Sequence, residues 1–373
     1  GVYDTTFDAQ IWNNPFFASG GGSDVWDVNF GQQPFVNTLP SGYKTLCTTN
    51  LPTPTIGSSG YTLANKYFDI SLYTGTGSNG ISVTNNGFQP DFVWVKTRSG
   101  AGGHVQVDAV RGINKHLTSN ITDADYTESG TAGLQSFNSN GFTVLKNGTY
   151  AGTNASGSNF VGWQWQAGQG TTSSNTNGSI TSTVSVNATA GFSIVTYTGT
   201  GGSATFGHGL GVTPAMVIVK NRTGTADNWY VWHGTFSATE GMDLNLTDAK
   251  ATGIQWWNST LPTSSVFSVK TGGYGTANSG STYVAYCWAE IAGFSKFGYY
   301  TGNGSADGPF VYTGFRPKFV ICKDSSNAGD WLIIDSARSA YNVTANNLLA
   351  QSSGAETTTV EMDLLSNGFK MRN

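Results

Sequence analysis

One pattern occurs three times in this chain, and it restricts the fold more than any other feature. Each copy starts at a tyrosine in a Y-T-G-x-G turn, passes through a G-x-x-P turn, and closes with a short apolar run ending in lysine. The three tyrosines, Tyr73, Tyr197 and Tyr300, lie 124 and 103 residues apart, and the prolines and lysines keep the same two intervals. A unit of this length is the size of a domain rather than of a solenoid repeat.

Patterning within each repeat predicts many short strands. Glycine accounts for 50 of the 373 residues and charged residues for only 11%, so turns are frequent and charge is scarce. Apolar and polar residues alternate over 68–73, and the unbroken apolar run 92–95 is typical of a strand covered on both faces. Helical runs between strands are not seen. We therefore predict an all-β fold of tandem antiparallel, jelly-roll-like β-sandwich domains with very little helix.

Two polar segments and the repeats together define the predicted domains. Prolines in 52–66 and the Gly, Ser, Thr and Asn residues of 169–179 are typical of connectors. The last repeat contains no counterpart of the apolar run 160–165, so either that strand lies outside this sequence or a neighbouring molecule completes the sandwich. The predicted boundaries are 1–56, a segment too short for its own core; 57–66, a linker; 67–169, repeat 1; 170–190, a linker; 191–293, repeat 2; and 294–373, repeat 3.

Patterns typical of catalysis, metal binding or nucleic-acid binding do not stand out. The four histidines and three cysteines have no metal-binding spacing, and neither a nucleophile elbow nor a phosphate-binding loop occurs. A net charge of −4 without a basic run argues against nucleic acid, and no apolar stretch is long enough to span a membrane. We predict a non-enzymatic protein without catalytic residues, metal or cofactor. The one alternative is loop-bound Ca²⁺ at Asp123, Asp125 and Glu128, which lack the glycine of an EF-hand loop.

Two repeats share a D-x-x-R motif, formed by Asp108 and Arg111 in repeat 1 and by Asp335 and Arg338 in repeat 3. Repeat 2 has W-H-G-T at this place, residues 232–235. A catalytic pair is not expected to be present in two copies and lost in the third. We therefore predict ion pairs that fix a loop.

Aromatic side chains are the remaining candidates for a ligand or interface surface. Exposed Trp and Tyr provide flat platforms for sugar rings and dominate binding surfaces. The alternative is that they fill the sandwich cores, although Trp256 and Trp257 would be hard to bury together if both lie in a strand. The candidates, from the variable middle parts of repeats 2 and 3, are Trp229, Tyr230, Trp232, Trp256, Trp257, Trp331 and Tyr341.

The order of motifs resembles a known kind of module. T-G-x-G, G-F-x-P, V-x-V-K-x-R, D-x-x-R, N/S-G-F and a final strand such as F-V-G-W-Q-W follow one another as in the tandem modules of structural and appendage proteins from marine tailed phages, cyanophages especially. Upstream, N-F-G-Q-Q-P-F and L-C-T-T-N-L-P resemble the closing strands of a SPRY-like, concanavalin-type sandwich. This second resemblance implies that residues 1–56 are the C-terminal part of such a domain.

The resemblance to phage modules implies a virion or extracellular protein. The expected role is a tail-fibre or appendage adhesin subunit that contacts the host surface, with a host glycan as the expected ligand, through loops on a rigid scaffold. A homo-oligomer that also contacts other virion proteins is expected, because weak single contacts gain from multivalency. The alternative is a capsid decoration or filament-forming architectural protein without a receptor role, and a hydrolase or lyase ranks third.

Overall fold

The computed structural model describes residues 54, 56, 63–128, 133–145, 152–224, 226–270 and 276–372. The predicted SPRY-like segment, 1–56, and the linker 57–66 lie almost entirely outside the described residues. Within them the chain is nearly all β, and the one helical element is a 3-10 turn at Ala64–Lys66. The predicted all-β class is therefore confirmed.

The strands group into three modules that follow the three repeats. Module 1 contains β1 (Phe68–Thr74), β2 (Ile81–Thr84), β3 (Phe92–Thr97), β4 (Val105–Asp108), β5 (Lys115–Leu117), β6 (Tyr126–Thr127), β7 (Leu134–Asn138), β8 (Gly141–Val144) and β9 (Asn159–Trp165). Module 2 contains β10 (Ser173–Asn175), β11 (Ser182–Asn187), β12 (Phe192–Thr198), β13 (Ala204–Gly207), β14 (Met216–Asn221), β15 (Trp229–His233), β16 (Glu240–Asp243), β17 (Ala251–Thr252), β18 (Val266–Val269) and β19 (Thr282–Trp288). Module 3 contains β20 (Phe310–Tyr312), β21 (Phe319–Cys322), β22 (Leu332–Asp335), β23 (Thr344–Leu349), β24 (Thr357–Leu365) and β25 (Gly368–Met371).

Modules 1 and 2 have the same topology. The large sheet of module 1 has the order β1-β9-β3-β4-β5-β6, and module 2 repeats it as β12-β19-β14-β15-β16-β17. The opposing small sheets are β2-β8-β7 and β13-β18. In both modules the last strand of the repeat lies between the first and third strands and is antiparallel to both.

Module 3 differs at this central position. Its sheet has the order β20-β25-β24-β23-β22-β21, so β21, the equivalent of β3 and β14, is a terminal strand. Residues 297–301, the equivalent of β1 and β12, form no strand. Among the described residues of this module, no strand occupies the place of β9 or β19, in agreement with the sequence pattern.

The predicted linker 170–190 is wrong over part of its length. It contains β10 and β11, and β11 pairs antiparallel with β12 along its length, extending the large sheet of module 2. The physical reason is the T-V-S-V alternation over 183–186, which buries Val184 and leaves Thr183 exposed. The small polar residues of this segment are typical of linkers, so composition did not predict β11, which forms by pairing with the edge strand β12.

The large sheets are covered on both faces, because the modules pack against one another. In β3, Val93 and Val95 belong to the core of the module 1 sandwich, whereas Phe92 and Trp94 belong to a larger cluster shared by all three modules. The ring centroid of Phe92 lies 4.4 Å from that of Tyr286 in module 2. The modules therefore form one compact unit.

Candidate functional site: three junctions between the modules

Charged side chains of the D-x-x-R motifs lie where one module meets the next. We name the junctions by the module that supplies the motif position: junction A joins the motif of module 1 to module 2, junction B that of module 3 to module 1, and junction C that of module 2 to module 3. Together the three junctions connect each module to both of the others.

Junction A is built around Asp108. Its Oδ1 accepts the backbone N–H groups of Val110 at 3.1 Å and Arg111 at 2.8 Å. Its Oδ2 accepts Arg111 Nε at 2.5 Å and the hydroxyl of Tyr286, from module 2, at 2.8 Å. The Asp108 and Arg111 side chains are fully buried. A buried ion pair thus fixes the turn after β4, and the fourth hydrogen bond to the Asp108 carboxylate comes from another module.

Two further charges extend junction A across the module boundary. Arg111 Nη1 contacts Asp125 Oδ1 at 2.8 Å, and Asp125 Oδ2 contacts Nε of Arg222, from module 2, at 2.8 Å. Burial opposes the charge of Arg111, but Asp108, Tyr286 and Asp125 together raise its pKa. Burial also raises the pKa of Tyr286, which keeps its hydroxyl protonated as a donor. Two carboxylates and two guanidinium groups thus alternate and compensate one another.

Junction B repeats this arrangement with different residues. Asp335 Oδ2 accepts Arg338 Nε at 2.6 Å and the indole N–H of Trp163, from module 1, at 3.0 Å. Glu356 takes the place of Asp125, with Oε2 3.1 Å from Arg338 Nη1 and Oε1 2.7 Å from Nη2 of Arg98, from module 1. Trp163 and Tyr286 hold the same register position in β9 and β19.

The predicted ion pairs Asp108–Arg111 and Asp335–Arg338 are therefore confirmed. Sequence reasoning considered Asp125 only as a possible Ca²⁺ ligand, and it missed Glu356 and the two cross-module arginines. The two arginines could have been found from the sequence, because Arg98 and Arg222 are both the last residue of a K-x-R motif that follows the repeated apolar run. The acids carried no such signal, since they lie in segments of unequal length.

The repeated lysines of the same K-x-R motif also cross the junctions. Lys96 Nζ donates to the carbonyl of Gly354 in module 3 at 2.8 Å, and Lys220 Nζ donates to that of Thr122 in module 1 at 2.8 Å. Both lysines are buried, and burial lowers the pKa of each to about 8. They serve as hydrogen-bond donors between modules rather than as a surface charge.

Junction C has a different residue at the motif position from the one that sequence spacing predicted. In the strand pairing of module 1, Asp108 lies opposite Phe92. Met216 is the equivalent of Phe92 in module 2, and the residue opposite it is His233 rather than Trp232. One extra residue in this part of repeat 2 shifts the register. His233 repeats the turn of the aspartates, because its Nδ1 accepts the backbone N–H of Thr235 at 3.3 Å.

The other three charges are also replaced at junction C. Phe236 comes three residues after His233, as Arg111 comes three residues after Asp108, so a phenyl ring stands in the place of the guanidinium group. Lys250 Nζ lies 5.3 Å from the centre of the Phe236 ring. The backbone N–H of Lys250 donates to the carbonyl of Ser325 at 3.0 Å, as the backbone N–H of Asp125 donates to the carbonyl of Arg222 at junction A. Lys250 and Ser325 therefore hold the positions of Asp125 and Arg222. Two departures that are distant in sequence, the lost D-x-x-R of repeat 2 and the lost arginine of repeat 3, thus meet at one place.

The prediction of an exposed aromatic surface is wrong for six of the seven candidates. Trp229, Tyr230, Trp232, Trp256, Trp257 and Trp331 are buried, whereas Tyr341 is 86% exposed. The indole N–H of Trp229 donates to the Thr118 carbonyl of module 1 at 3.1 Å, and that of Trp331 to the Asp243 carbonyl of module 2 at 3.0 Å. For these two tryptophans, the face expected to reach solvent is covered by another module. Trp256 and Trp257 lie in a turn rather than a strand, so both can point inward.

The acidic segment considered for Ca²⁺ has other partners. Asp125 contacts two arginines, and the hydroxyl of Tyr126 donates to Asp123. No group of three His, Cys, Asp or Glu side chains suited to a metal ion occurs among the described residues. Loop-bound Ca²⁺ stays a prediction.

The fold and the junctions define a multi-module, all-β protein whose modules interlock through buried polar contacts. In the described part of the chain, no helix is long and apolar enough to cross a membrane. Residues 64–373 match the family described as a domain of unknown function, DUF7483, so the chain belongs to that family. No curated protein and no solved structure matches the chain.

Proposed function

We propose that this chain is a non-enzymatic structural protein of a phage-like virion, in which modules 1–3 act as one rigid block of a tail fibre or other appendage. The observation that carries the proposal is the pair of matched junctions A and B. They commit four carboxylates and four arginines to buried or half-buried contacts between or within modules. The resemblance of the repeat to phage modules supplies the virion setting.

Buried, compensated charges suit a part that must hold its shape. Removing one partner of such a network leaves an uncompensated charge and costs several kcal/mol, so the networks favour the one arrangement of modules in which every charge keeps its partner. The aromatic cluster shared by all three modules adds apolar area to the same interfaces. We expect the block to transmit force or position between its neighbours, and to assemble as a homo-oligomer with other virion proteins.

Contact with a host-surface glycan is the second candidate, and Tyr341 favours it. This ring is 86% exposed, and it belongs to the loop between β22 and β23. An exposed tyrosine offers a flat face for a sugar ring.

The location of the chain in particles tests the proposal. Fab fragments raised against the full chain are expected to label an appendage of purified virions in electron micrographs. Label on the capsid surface would favour the decoration role, and particles without label would refute the virion assignment.

Adsorption separates the adhesin role from the purely architectural one. If the same Fab fragments block adsorption, and the Tyr341→Ala chain loses binding to host polysaccharide that the unaltered chain retains, the adhesin role is supported. Labelling without any effect on adsorption would support the architectural role.

A further inference from the structure

Two aromatic side chains of module 3 face solvent from one strand. Phe310 and Tyr312 are 47% and 46% exposed, and they are alternate residues of β20, so both project from the same face of the sheet. Between them, Val311 lies opposite Phe369 and packs against the core of the sandwich. The two rings therefore lie side by side on the outer face, with their Cα atoms about 7 Å apart.

In module 1 the same strand positions carry small hydroxyl residues. The phenylalanine of the N/S-G-F motif lies opposite Val83 in β2 and opposite Val311 in β20, so the two strands are equivalent. The outward residues of β2 are Ser82 and Thr84, and both are exposed. Exposure of this face is thus an ordinary property of the module, and only the aromatic residue types belong to module 3.

Module 2 follows module 1 at these positions. Its strand β13 has Thr205 and Gly207 there, and Thr205 Oγ1 accepts the backbone N–H of Ser179 at 2.8 Å. Two modules therefore fold with small residues at both positions, so the fold does not require an aromatic side chain at either. Exposed aromatic rings that are edged by polar groups mark interaction sites.

Glycines support both rings from below. A Cβ atom at Gly368 would lie 2.9 Å from Cε2 and Cζ of Phe310, and one at Gly314 would lie 3.5 Å from the hydroxyl oxygen of Tyr312. Each ring thus lies against backbone that carries no side chain. This support limits the motion of the rings and lowers the entropy that binding would cost.

Two ion pairs lie on the same face. Lys370 is opposite Phe310 in the strand pairing, and its Nζ contacts Asp307. Asp363 is opposite Lys370, and its Oδ2 lies 3.5 Å from Arg372 Nε. Each pair is neutral as a unit, and its polar atoms adjoin an apolar ring. A sugar ring has the matching character, with C–H groups on its face and hydroxyl groups around its rim.

The size of the aromatic patch favours a sugar over a protein as the partner. About half of each ring is exposed, and an aromatic side chain offers about 150–250 Å², so the two rings present roughly 200 Å² together. A stable protein–protein interface buries about 800 Å² on each partner, which is four times as much. Each ring can instead accommodate one pyranose ring.

We propose that Phe310 and Tyr312 form a binding platform for a neutral polysaccharide. Two pyranose rings of one glycan chain stack on the two side chains, and their hydroxyl groups bond to the two ion pairs of this face. Tyr341 is not part of the platform. The inference extends the second candidate function, contact with a glycan, and rests on that function only for the host surface as the source of the glycan.

The test is affinity electrophoresis of the full chain in gels that contain dextran, mannan, xylan or hydroxyethyl cellulose, with polygalacturonate as the charged comparison. We expect at least one neutral polysaccharide to retard the chain saturably, and polygalacturonate to retard it less. Phe310→Ser and Tyr312→Thr introduce the residues of module 1. Each is expected to weaken binding at least about tenfold, because it removes one stacking surface, and the double variant should not be retarded.

The control variant is Leu261→Ser, which removes a side chain of similar exposure, 51%, from module 2 and should bind like the unaltered chain. Both positions of the platform are exposed, so the near-UV circular dichroism of the double variant should match that of the unaltered chain. Absence of retardation by every neutral polysaccharide, stronger retardation by polygalacturonate, or equal retardation of the double variant would overturn the inference.

Two further outcomes separate this inference from the proposed function. If Tyr341→Ala lost binding that the double variant retained, the platform would be refuted while the adhesin candidate stood. If virions stayed unlabelled while the platform variants lost polysaccharide binding as expected, the platform would stand without the virion setting. A dimer of the full chain in analytical ultracentrifugation that the double variant cannot form would overturn the inference in favour of a second copy of the chain.

Discussion

Junctions A and B contain the same chain of four alternating charges, whereas junction C has a different residue type at each of the four positions. Asp, Arg, an acid and Arg are replaced by His233, Phe236, Lys250 and Ser325. A buried charge without its partner costs several kcal/mol, so such a network is stable only when all of its members are present. The comparison shows that the departures in repeats 2 and 3 lie at a single interface, where they replace all four members of the network together.

The arginines of junctions A and B are expected to give the largest effects. Arg111→Ala and Arg338→Ala each leave two carboxylates short of a partner, and each is expected to lower the free energy of unfolding by about 3–5 kcal/mol, measured by urea denaturation. Arg372→Ala is the control, because that side chain is 36% exposed and pairs with Asp363 at 3.5 Å. It should cost less than about 1 kcal/mol. Equal effects for all three variants would contradict the assigned role of the network.

The aromatic donors should matter less than the charges they contact. Trp163→Phe and Tyr286→Phe each remove the hydrogen bond to a buried aspartate, and Tyr286→Phe also removes the acceptor for Arg111 Nη2. The lost hydrogen bonds are expected to cost about 1–3 kcal/mol, and Trp163→Phe also leaves a void in the core. Trp232→Phe is the matched control, because it loses the same indole volume in the core but its buried indole nitrogen has no partner, so it should cost less than Trp163→Phe by about the value of one hydrogen bond. If Trp232→Phe were as costly as Trp163→Phe, the hydrogen bond would not be the cause.

Asp243 provides a test in pH. This residue ends β16 near junction C, its Oδ1 is buried without a hydrogen-bond partner, and burial, with Asp248 and Asp227, raises its pKa to about 7. The folded state therefore holds a proton that the unfolded state releases near pH 4, so stability from this group falls as the pH rises from about 4 to 7. Asp243→Asn is expected to remove that dependence and to stabilise the protein at pH 8 by roughly 1–3 kcal/mol.

The pH dependence is read from urea denaturation at pH 5 and pH 8. The exposed carboxylate of Asp330 gives the control, since Asp330→Asn should leave the difference between the two pH values unchanged. A difference that persists in Asp243→Asn would show that another group causes it.

Tyr341→Ala is expected to give the smallest effect. Of the seven aromatic candidates from the sequence, Tyr341 alone is exposed. Its removal should therefore change the free energy of unfolding by less than about 0.5 kcal/mol. A loss above about 2 kcal/mol would mean that the ring packs against something in solution, and would argue against its use as a free sugar platform.

Much of each module was predictable from local pattern. The alternation at β1, the doubly covered run of β3 and the two ion pairs all follow from residues a few positions apart, whose spacing fixes which side chains can meet. The prediction failed where burial depends on another module. Trp229 and Trp331 lie on faces that would be exposed in an isolated sandwich, and only the packing of modules 1 and 2 against them makes them core.

Register was the second limit. One extra residue in repeat 2 places His233, rather than Trp232, opposite Met216, and spacing counted from the repeated proline cannot detect it. In a strand a shift of one residue exchanges the two faces, so the identity of the residue at junction C required the strand pairing.

The sequence by itself determined the all-β class, the three related modules and the local ion pairs, because these depend on the period of strands and on charges within one turn. The tertiary structure alone decided that the modules interlock in one unit and that Asp125 and Glu356 bridge arginines of different modules. Those features join residues about 100 or more positions apart, and no local preference records which distant surfaces cover each other.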